Sequence, residues 1–214
     1  MRRYAALILT LALSSGLGHG VGAETIAFER DVVGIAPSDF DSWGTGDAGP
    51  GQWAVVSDDS VRGAHALEQY RNELTAERVP LAIYKPFAAA DVEVALRFKA
   101  VSGSLDRSAG IAVRLTTPDD DYMVRASALA QDVRLYRVVH GAWNELASVP
   151  AHVTPREWHT LSLKAKGDRT TVTLDGRLML AATDATFRTP GRIALCTKAD
   201  SVTRFDHLRI TPLP

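Results

Sequence analysis

Cysteine is almost absent from this sequence, since Cys196 is the only one among 214 residues. No disulfide can therefore form within the chain, and the hydrophobic core must provide its stability. The formal net charge of −1 lacks the basic excess of a dedicated nucleic-acid binder. No apolar run reaches the ~20 residues that span a bilayer. We expect neither a nucleic-acid partner nor a stable membrane span.

Motifs for metals, cofactors and common nucleophiles are missing as well. The six His residues show no zinc spacing, and no EF-hand loop, phosphate loop, dinucleotide fingerprint or Gly-x-Ser-x-Gly elbow occurs. Asp119-Asp120-Asp121 could bind calcium through clustered oxygens, or form a solvated turn before a strand. No Cys-His pattern surrounds Cys196, which favours a small packed residue. The sequence predicts no metal and no cofactor.

What is present is a series of short strands, with hardly any amphipathic helix. The clearest runs from Asp91 to Lys99, where apolar residues alternate with polar or small ones at the period of a half-buried strand. Asp175-Gly176 is a hairpin signal, because Gly tolerates positive φ. The stretch from Pro37 to Gly51 is rich in Gly and predicts a loop. The pattern predicts one all-β domain over residues 24–214, an antiparallel sandwich or barrel.

The N-terminus has the three parts of a signal peptide. Arg2 and Arg3 supply the positive end, Tyr4 to Leu13 the apolar run, and Val21-Gly22-Ala23 a small-residue cleavage site. A buried N-terminal helix is the alternative, which the glycines at positions 16, 18 and 20 disfavour. We therefore predict that residues 1–23 are a signal peptide and that the mature protein is exported, to the periplasm or beyond the cell.

The closing stretch reads as two strands, 192–197 and 203–210, joined by a short polar turn. Opposite charges and a hydroxyl meet in that turn, which contains Lys198, Asp200 and Ser201. The pattern is typical of a hairpin, and the turn is also a candidate site.

Small residues share strand faces with cations. Gly110 and Ala112 are in phase with Arg114, while Ala194 and Cys196 are in phase with Lys198. If these strands are neighbours, the small side chains leave a shallow concavity whose cations offer donors to a sugar or an acidic small ligand. The alternative is an ordinary solvent-facing sheet, in which Arg and Lys discourage edge pairing.

Aromatic residues and one histidine complete the candidates. Tyr136, Trp143 and Trp158 could stack on sugar rings, although Trp158 precedes a regular strand and is predicted to pack in the core. Trp143 follows His140-Gly141 and is predicted to be exposed at a turn. His159 alternates in phase with the apolar residues of its strand, which favours a buried histidine with satisfied hydrogen bonds.

Several stretches carry a family resemblance. They are Ser108–Arg114, Tyr122–Leu129, Val133–Tyr136, Glu157–Leu161 and Thr197–Asp206. Together they resemble the 3-keto-disaccharide hydrolase domain family, over roughly Phe28 to Ile210. The resemblance implies a concanavalin A-like β-jelly roll, the architecture of lectins and laminin G-like modules. It also implies a carbohydrate-directed role, because relatives bind saccharides or cleave glycosides of oxidised sugars.

The first functional hypothesis is an exported jelly roll that binds a carbohydrate or glycoconjugate without turning it over. Its predicted ligand-binding residues are Arg114, Arg125, Lys198 and Asp200, which should then converge on one concave side. A third hypothesis is a protein-interaction module of the cell envelope, whose loops face a partner.

The second hypothesis is a glycoside-cleaving enzyme of the 3-keto-disaccharide type, with Asp200, Glu68 or Asp206 as acid or base. Elimination would begin with removal of a proton beside the carbonyl, and Lys198 or Arg114 would stabilise the enolate. Similar family members often carry Asn at the position of Ser127 and an acid–amide cluster at 130–132, so this chain departs from them there.

Overall fold

The computed structural model describes residues 22–45 and 49–214. These two ranges form fifteen β-strands and contain no helix, and hence no helix that could cross a membrane. The strands are β1 (Glu24–Ile26), β2 (Phe40–Gly44), β3 (Trp53–Ser57), β4 (His65–Gln69), β5 (Pro80–Ala89), β6 (Val92–Ser102), β7 (Ser108–Thr117), β8 (Asp120–Ser127), β9 (Asp132–Val139), β10 (Ala142–Pro150), β11 (Trp158–Lys166), β12 (Arg169–Leu174), β13 (Arg177–Thr183), β14 (Gly191–Cys196) and β15 (Val202–Pro212). The predicted signal peptide lies outside the described residues, apart from Gly22 and Ala23.

Two antiparallel sheets pack face to face. Sheet A has eight strands in the order β13-β12-β11-β6-β15-β4-β3, with β1 paired to β15. Sheet B has seven strands in the order β10-β9-β8-β7-β14-β5-β2. The chain changes sheet between β5, β6 and β7, and again between β14 and β15. The prediction of an all-β antiparallel sandwich is confirmed.

Strand periodicity places the core between the sheets. In β6, Val92, Val94, Leu96 and Phe98 are fully buried, while the residues between them are partly exposed. One apolar cluster joins Phe98 and Phe205 of sheet A to Ile111 and Leu195 of sheet B. Burying each such side chain contributes roughly 1.5–3 kcal/mol, which explains why the fold needs no disulfide.

The short hairpin between β12 and β13 forms as predicted. Asp175 and Gly176 both have positive φ, at 49° and 75°. That conformation matches the right-handed twist of the two strands. His159 is buried as predicted, with Nδ1 2.7 Å from Asp175 Oδ2 and Nε2 bonded to the backbone of Thr154.

Three predictions about elements are wrong. The closing stretch is no hairpin, because β14 belongs to sheet B and β15 to sheet A, so the turn between them crosses the sandwich. The predicted loop after Pro37 contains β2, which pairs with β5 and packs Phe40 on Tyr84. Trp158 lies outside the core, with Arg97 and Lys99 at 5.0 and 4.9 Å from its ring.

Candidate functional site

The outer face of sheet B, turned away from sheet A, carries a floor of small and apolar side chains. Adjacent strands place Leu81, Cys196, Gly110 and Arg125 in one row. Ile83, Ala194, Ala112 and Met123 form the next row. We call the seven residues other than Arg125 the floor. The small residues of β7 and β14 are thus neighbours, as the sequence patterns required. All seven floor residues are buried, so they form a packed apolar layer under this face and not an open concavity.

Gly110 and Cys196 are in close contact at the centre of the floor. A Cβ at Gly110 would overlap Cys196 Sγ and the Val124 carbonyl oxygen, so only glycine fits there. Burial raises the pKa of the Cys196 thiol, which keeps it in its poorly nucleophilic protonated form. Cys196 therefore serves packing, in agreement with the interpretation of the sequence.

Trp143 forms an aromatic wall beside the floor. It packs against the floor residues, and its ring meets Tyr136 edge to face with centroids 5.0 Å apart. Trp143 also lines a cleft of about 690 Å³ that extends towards Glu73, Glu77 and Arg78. The Trp143 side chain thus contacts both the apolar floor and a polar cleft.

Arg125 is held rigidly at the edge of the floor. Its Nη1 lies 2.6 Å from Asp106 Oδ2, and its Nη2 lies 3.0 Å from Asp132 Oδ1. Asp132 also accepts a hydrogen bond from Arg134 Nε at 2.6 Å. Two carboxylates balance the Arg125 charge, so a ligand here meets a fixed guanidinium with little free charge.

Lys198 lies beside Arg125 and has no ion-pair partner among the described residues. Both side chains line a water-sized void above Gly110 and a neighbouring cleft of about 190 Å³. Glu77 and Leu129 contribute to that cleft. The structure therefore brings Arg125 and Lys198 together, and leaves the ammonium group available to a ligand.

Asp200 lies two residues after Lys198, and its carboxylate is bonded to the loop from Ser104 to Asp106. Its oxygens accept hydrogen bonds from Ser104 N and Oγ at 2.6 and 2.7 Å, and from Leu105 N and Asp106 N at 2.9 and 3.1 Å. Burial opposes ionisation, but the hydrogen bonds outweigh it and lower the pKa of Asp200 to about 2. A carboxylate so engaged is a poor base, and the structure assigns it to holding the loop.

Arg114 lies apart from the other predicted ligand residues. It has φ of 53° at a bulge of β7, and its guanidinium reaches loops at one end of the sandwich. It donates to Ala90 O at 2.5 Å, Phe187 O at 2.6 Å and Gly167 O at 2.8 Å, and pairs with Asp91 at 3.1 Å. These acceptors occupy the side chain, which corrects its prediction as a ligand residue.

The remaining acid–base candidates belong to sheet A. Glu68 in β4 pairs with Arg204 at 2.6 Å. Asp206 in β15 is 2% exposed and lies 3.6 Å from Arg97, and burial raises its pKa. Glu68 and Asp206 thus lie on sheet A, whereas Lys198, one of the two cations predicted to stabilise an enolate, lies at sheet B. Asp200, Glu68 and Asp206 stay predictions as alternative acids or bases.

The acidic run before β8 divides into separate roles. Asp120 accepts hydrogen bonds from Thr117 Oγ1 at 2.7 Å and His140 N at 2.9 Å, and the latter lowers its pKa. Asp119 lines the cleft beside Trp143, and Asp121 is buried in the outer face of sheet B. Within residues 22–45 and 49–214, no group of three or more His, Cys, Asp or Glu is placed to hold a metal ion.

The sequence indicates Asp121 only as part of the acidic run that could bind calcium. It lies in phase with Met123 and Arg125, on the face opposite to the core residues of β8. That alternation is readable in the sequence, but the lack of a partner for the carboxylate is a property of the fold alone.

Comparison with known proteins gives one family and a consistent fold. A family model described as 3-keto-alpha-glucoside-1,2-lyase-like domain matches residues 37–211. No curated protein sequence matches the chain.

Among solved structures, carbohydrate binding module CBM66 from Bacillus subtilis is similar at 20% identity and a TM-score of 0.62, covering 75% of this chain and 91% of that one. A Bacillus licheniformis β-glucanase has 12% identity and a TM-score of 0.61, with 90% and 99% covered. Domain 4 of the Geobacillus stearothermophilus arabinanase AbnA, in complex with arabinotriose, has 13% identity and a TM-score of 0.55, with 88% and 90% covered. These likenesses confirm the jelly-roll fold.

Proposed function

Because the chain belongs to the 3-keto-alpha-glucoside-1,2-lyase-like domain family, we propose that it binds a carbohydrate on the outer face of sheet B. The observation that carries the proposal is that the half-buried Trp143 ring and the Lys198 ammonium group lie on one face, above the buried floor. Similar jelly rolls include a carbohydrate binding module and a β-glucanase, which supports a saccharide as the ligand.

Each part of this face matches one part of a sugar. The C–H face of a pyranose packs against an aromatic ring, and Trp143 presents its indole beside the floor. Hydroxyl groups need charged or polar partners, which Lys198 and Glu77 offer at the neighbouring cleft. Arg125 is already paired and so fixes the shape of that cleft.

Trp143→Ala is expected to weaken saccharide binding on the order of tenfold to a hundredfold, because it removes the stacking surface. The measurement is calorimetric titration of the protein beginning at Glu24 with maltose, trehalose and their 3-keto derivatives. Trp158→Ala is the matched control, since it removes an indole from sheet A. Equal loss in both variants, or in neither, would contradict the assignment of the face.

Lys198→Met is expected to weaken the same binding about tenfold, since a hydrogen bond from a charged donor is lost while the aliphatic stem is kept. Lys164→Met supplies the control, because Lys164 pairs with Glu93 on sheet A. A loss of affinity that is no larger for Lys198→Met than for Lys164→Met would argue against Lys198 as a ligand residue.

Cleavage is the alternative that the family match favours. The same four saccharides test it when products are followed by chromatography. We expect binding without turnover, because four hydrogen bonds occupy the Asp200 carboxylate, while Glu68 and Asp206 lie on sheet A, away from Lys198. Turnover of a 3-keto sugar that Asp200→Ala leaves intact would require a base elsewhere on sheet B.

Export belongs to the same proposal. Residues 1–23 have the composition of a signal peptide, and a saccharide ligand is consistent with the periplasm or the exterior. Expression of the full chain in a secreting host should give a mature protein whose first residue is Glu24, as read by mass spectrometry. Ala23→Phe should block that cleavage, and retention of residues 1–23 by the wild-type chain would contradict export.

A further inference from the structure

The cleft beside Lys198 joins exposed apolar side chains to charged groups of opposite sign. Its volume is about 190 Å³, and five of its nine lining residues are leucine or alanine. Leu105 and Leu129 are the large ones, and they are 48% and 46% exposed. Two exposed leucines in one cleft form an apolar surface that a ligand would shield from water, which is typical of a binding site. We call this the leucine cleft.

Both leucines lie in loops that are fixed at the ends of strands of sheet B. Leu105 precedes β7, and its N–H donates a hydrogen bond to Asp200 Oδ1 at 2.9 Å. Leu129 follows β8, and its N–H donates one to Ser127 Oγ at 3.3 Å. Asp200 and Ser127 are themselves buried. The leucine cleft is therefore formed before a ligand binds, which lowers the entropy cost of binding.

The polar groups of the leucine cleft differ in whether their bonds are already made. Arg125 and Asp106 pair with each other at 2.6 Å, so their charges are balanced. Neither Glu77 nor Lys198 forms an ion pair or a side-chain hydrogen bond with another residue of the ranges 22–45 and 49–214. The groups left for a ligand are thus one acceptor, the Glu77 carboxylate, and one donor, the Lys198 ammonium group.

We propose that the leucine cleft holds the acetamido group of an N-acetylated amino sugar whose ring lies against Trp143. The amide carbonyl accepts a hydrogen bond from Lys198, and the amide N–H donates one to Glu77. The methyl group packs against Leu105 and Leu129. Lys198 lines both this cleft and the void beside Trp143, so one sugar ring and its substituent reach both places. This inference rests on the proposed function and names the class of sugar.

Other sugar substituents match the leucine cleft less well. Glu77 would repel the carboxylate of a uronate, and Lys198 would repel the ammonium group of an unacetylated amino sugar. A hydroxyl group bonds to either residue but leaves the two leucines uncovered. The acetamido group is neutral and has a donor, an acceptor and a methyl group, so it matches the polar and the apolar parts of the cleft together.

Calorimetric titration of the protein beginning at Glu24 tests this inference with three disaccharides of the same linkage. N,N′-diacetylchitobiose has acetamido groups where its deacetylated form has amino groups and cellobiose has hydroxyl groups. We expect N,N′-diacetylchitobiose to bind about tenfold more tightly than either of the others, because it adds a buried methyl group and a hydrogen bond.

Variants locate the preference for N,N′-diacetylchitobiose over cellobiose. Leu129→Ala and Glu77→Ala should each reduce it to about threefold or less, because one removes the apolar contact and the other removes the acceptor. Glu77→Gln should keep it, since the amide oxygen still accepts a hydrogen bond. The matched controls are Leu178→Ala, at a 60% exposed leucine of β13, and Glu93→Ala, in β6 of sheet A, and both should leave the preference unchanged.

The outcomes separate this inference from the proposed function. Equal affinity for cellobiose and N,N′-diacetylchitobiose, both weakened by Trp143→Ala, would overturn the inference and leave the proposed function intact. Binding of maltose or trehalose without binding of N,N′-diacetylchitobiose would do the same. A preference that Leu129→Ala reduces no more than Leu178→Ala does would place the acetamido group outside the leucine cleft and overturn the inference. If no saccharide bound, the proposed function and this inference would fail together.

Discussion

Arg114→Ala is expected to lower the free energy of unfolding by about 4 kcal/mol, which is a large part of the stability of an ordinary domain. The wild-type guanidinium is 1% exposed and ties together three loops through Ala90 O, Phe187 O and Gly167 O. Removing it leaves these acceptors without the donor and opens a cavity at that end of the sandwich. The melting temperature should fall by roughly 12 °C.

Urea unfolding and calorimetry measure this effect, with Arg192→Ala as the control. Arg192 is exposed, and its Nη1 lies 3.8 Å from Asp41, so its removal should change stability by less than about 0.5 kcal/mol. Saccharide binding by the folded Arg114→Ala protein should equal that of the wild type. A variant of normal stability that no longer binds sugar would restore Arg114 to the ligand site.

The alternation of apolar and polar residues predicts most of the strands of this fold. The alternation in β6 was readable because one face of this strand meets the core and the other faces water. The sequence does not indicate β2, because Phe40 makes the one core contact of this strand among glycines and a proline, so no alternation develops. A short polar turn has the same composition in a hairpin and in a crossing between two sheets, so the sequence between β14 and β15 does not distinguish the two arrangements.

Sequence patterns predicted the floor better than they predicted its charged residues. Gly110, Ala112, Ala194 and Cys196 are neighbours as required, since alternation fixes which face a strand residue occupies. Arg114 departs from that rule because a β-bulge and a positive φ redirect its side chain. The lack of a hydrogen-bond partner for Asp121 is visible only in the structure, because it depends on the positions of all neighbouring residues.

The Thr197–Asp206 motif illustrates how a sequence signature and a ligand site differ. Ser201 Oγ accepts a hydrogen bond from Ser108 N at 3.1 Å, and Asp200 caps the loop at Ser104. Both partners lie more than ninety residues away, at separations of 93 and 96. The motif therefore joins the crossing turn to the start of β7, and of its charged residues only Lys198 is left for a ligand.

Asp200→Asn is expected to cost about 2.5 kcal/mol of stability at pH 7. The carboxylate accepts four hydrogen bonds, which hold its pKa at about 2 against an ordinary value of 3.8. A folded-state pKa below the unfolded value means that the stabilisation is complete above about pH 4 and is lost as the pH falls towards 2. The Asn side chain of this variant has no negative charge, and its NH₂ group would face backbone N–H groups that are themselves donors.

The decisive measurement is the difference in unfolding free energy between wild type and Asp200→Asn at pH 7, 4 and 3. It should shrink as the pH falls, because the wild-type Asp200 then becomes protonated and loses the same interactions. Asp59→Asn replaces an exposed carboxylate and should give no comparable difference at any of these pH values. A difference that stays constant with pH would mean that the shape of residue 200, and not its charge, fixes the loop from Ser104 to Asp106.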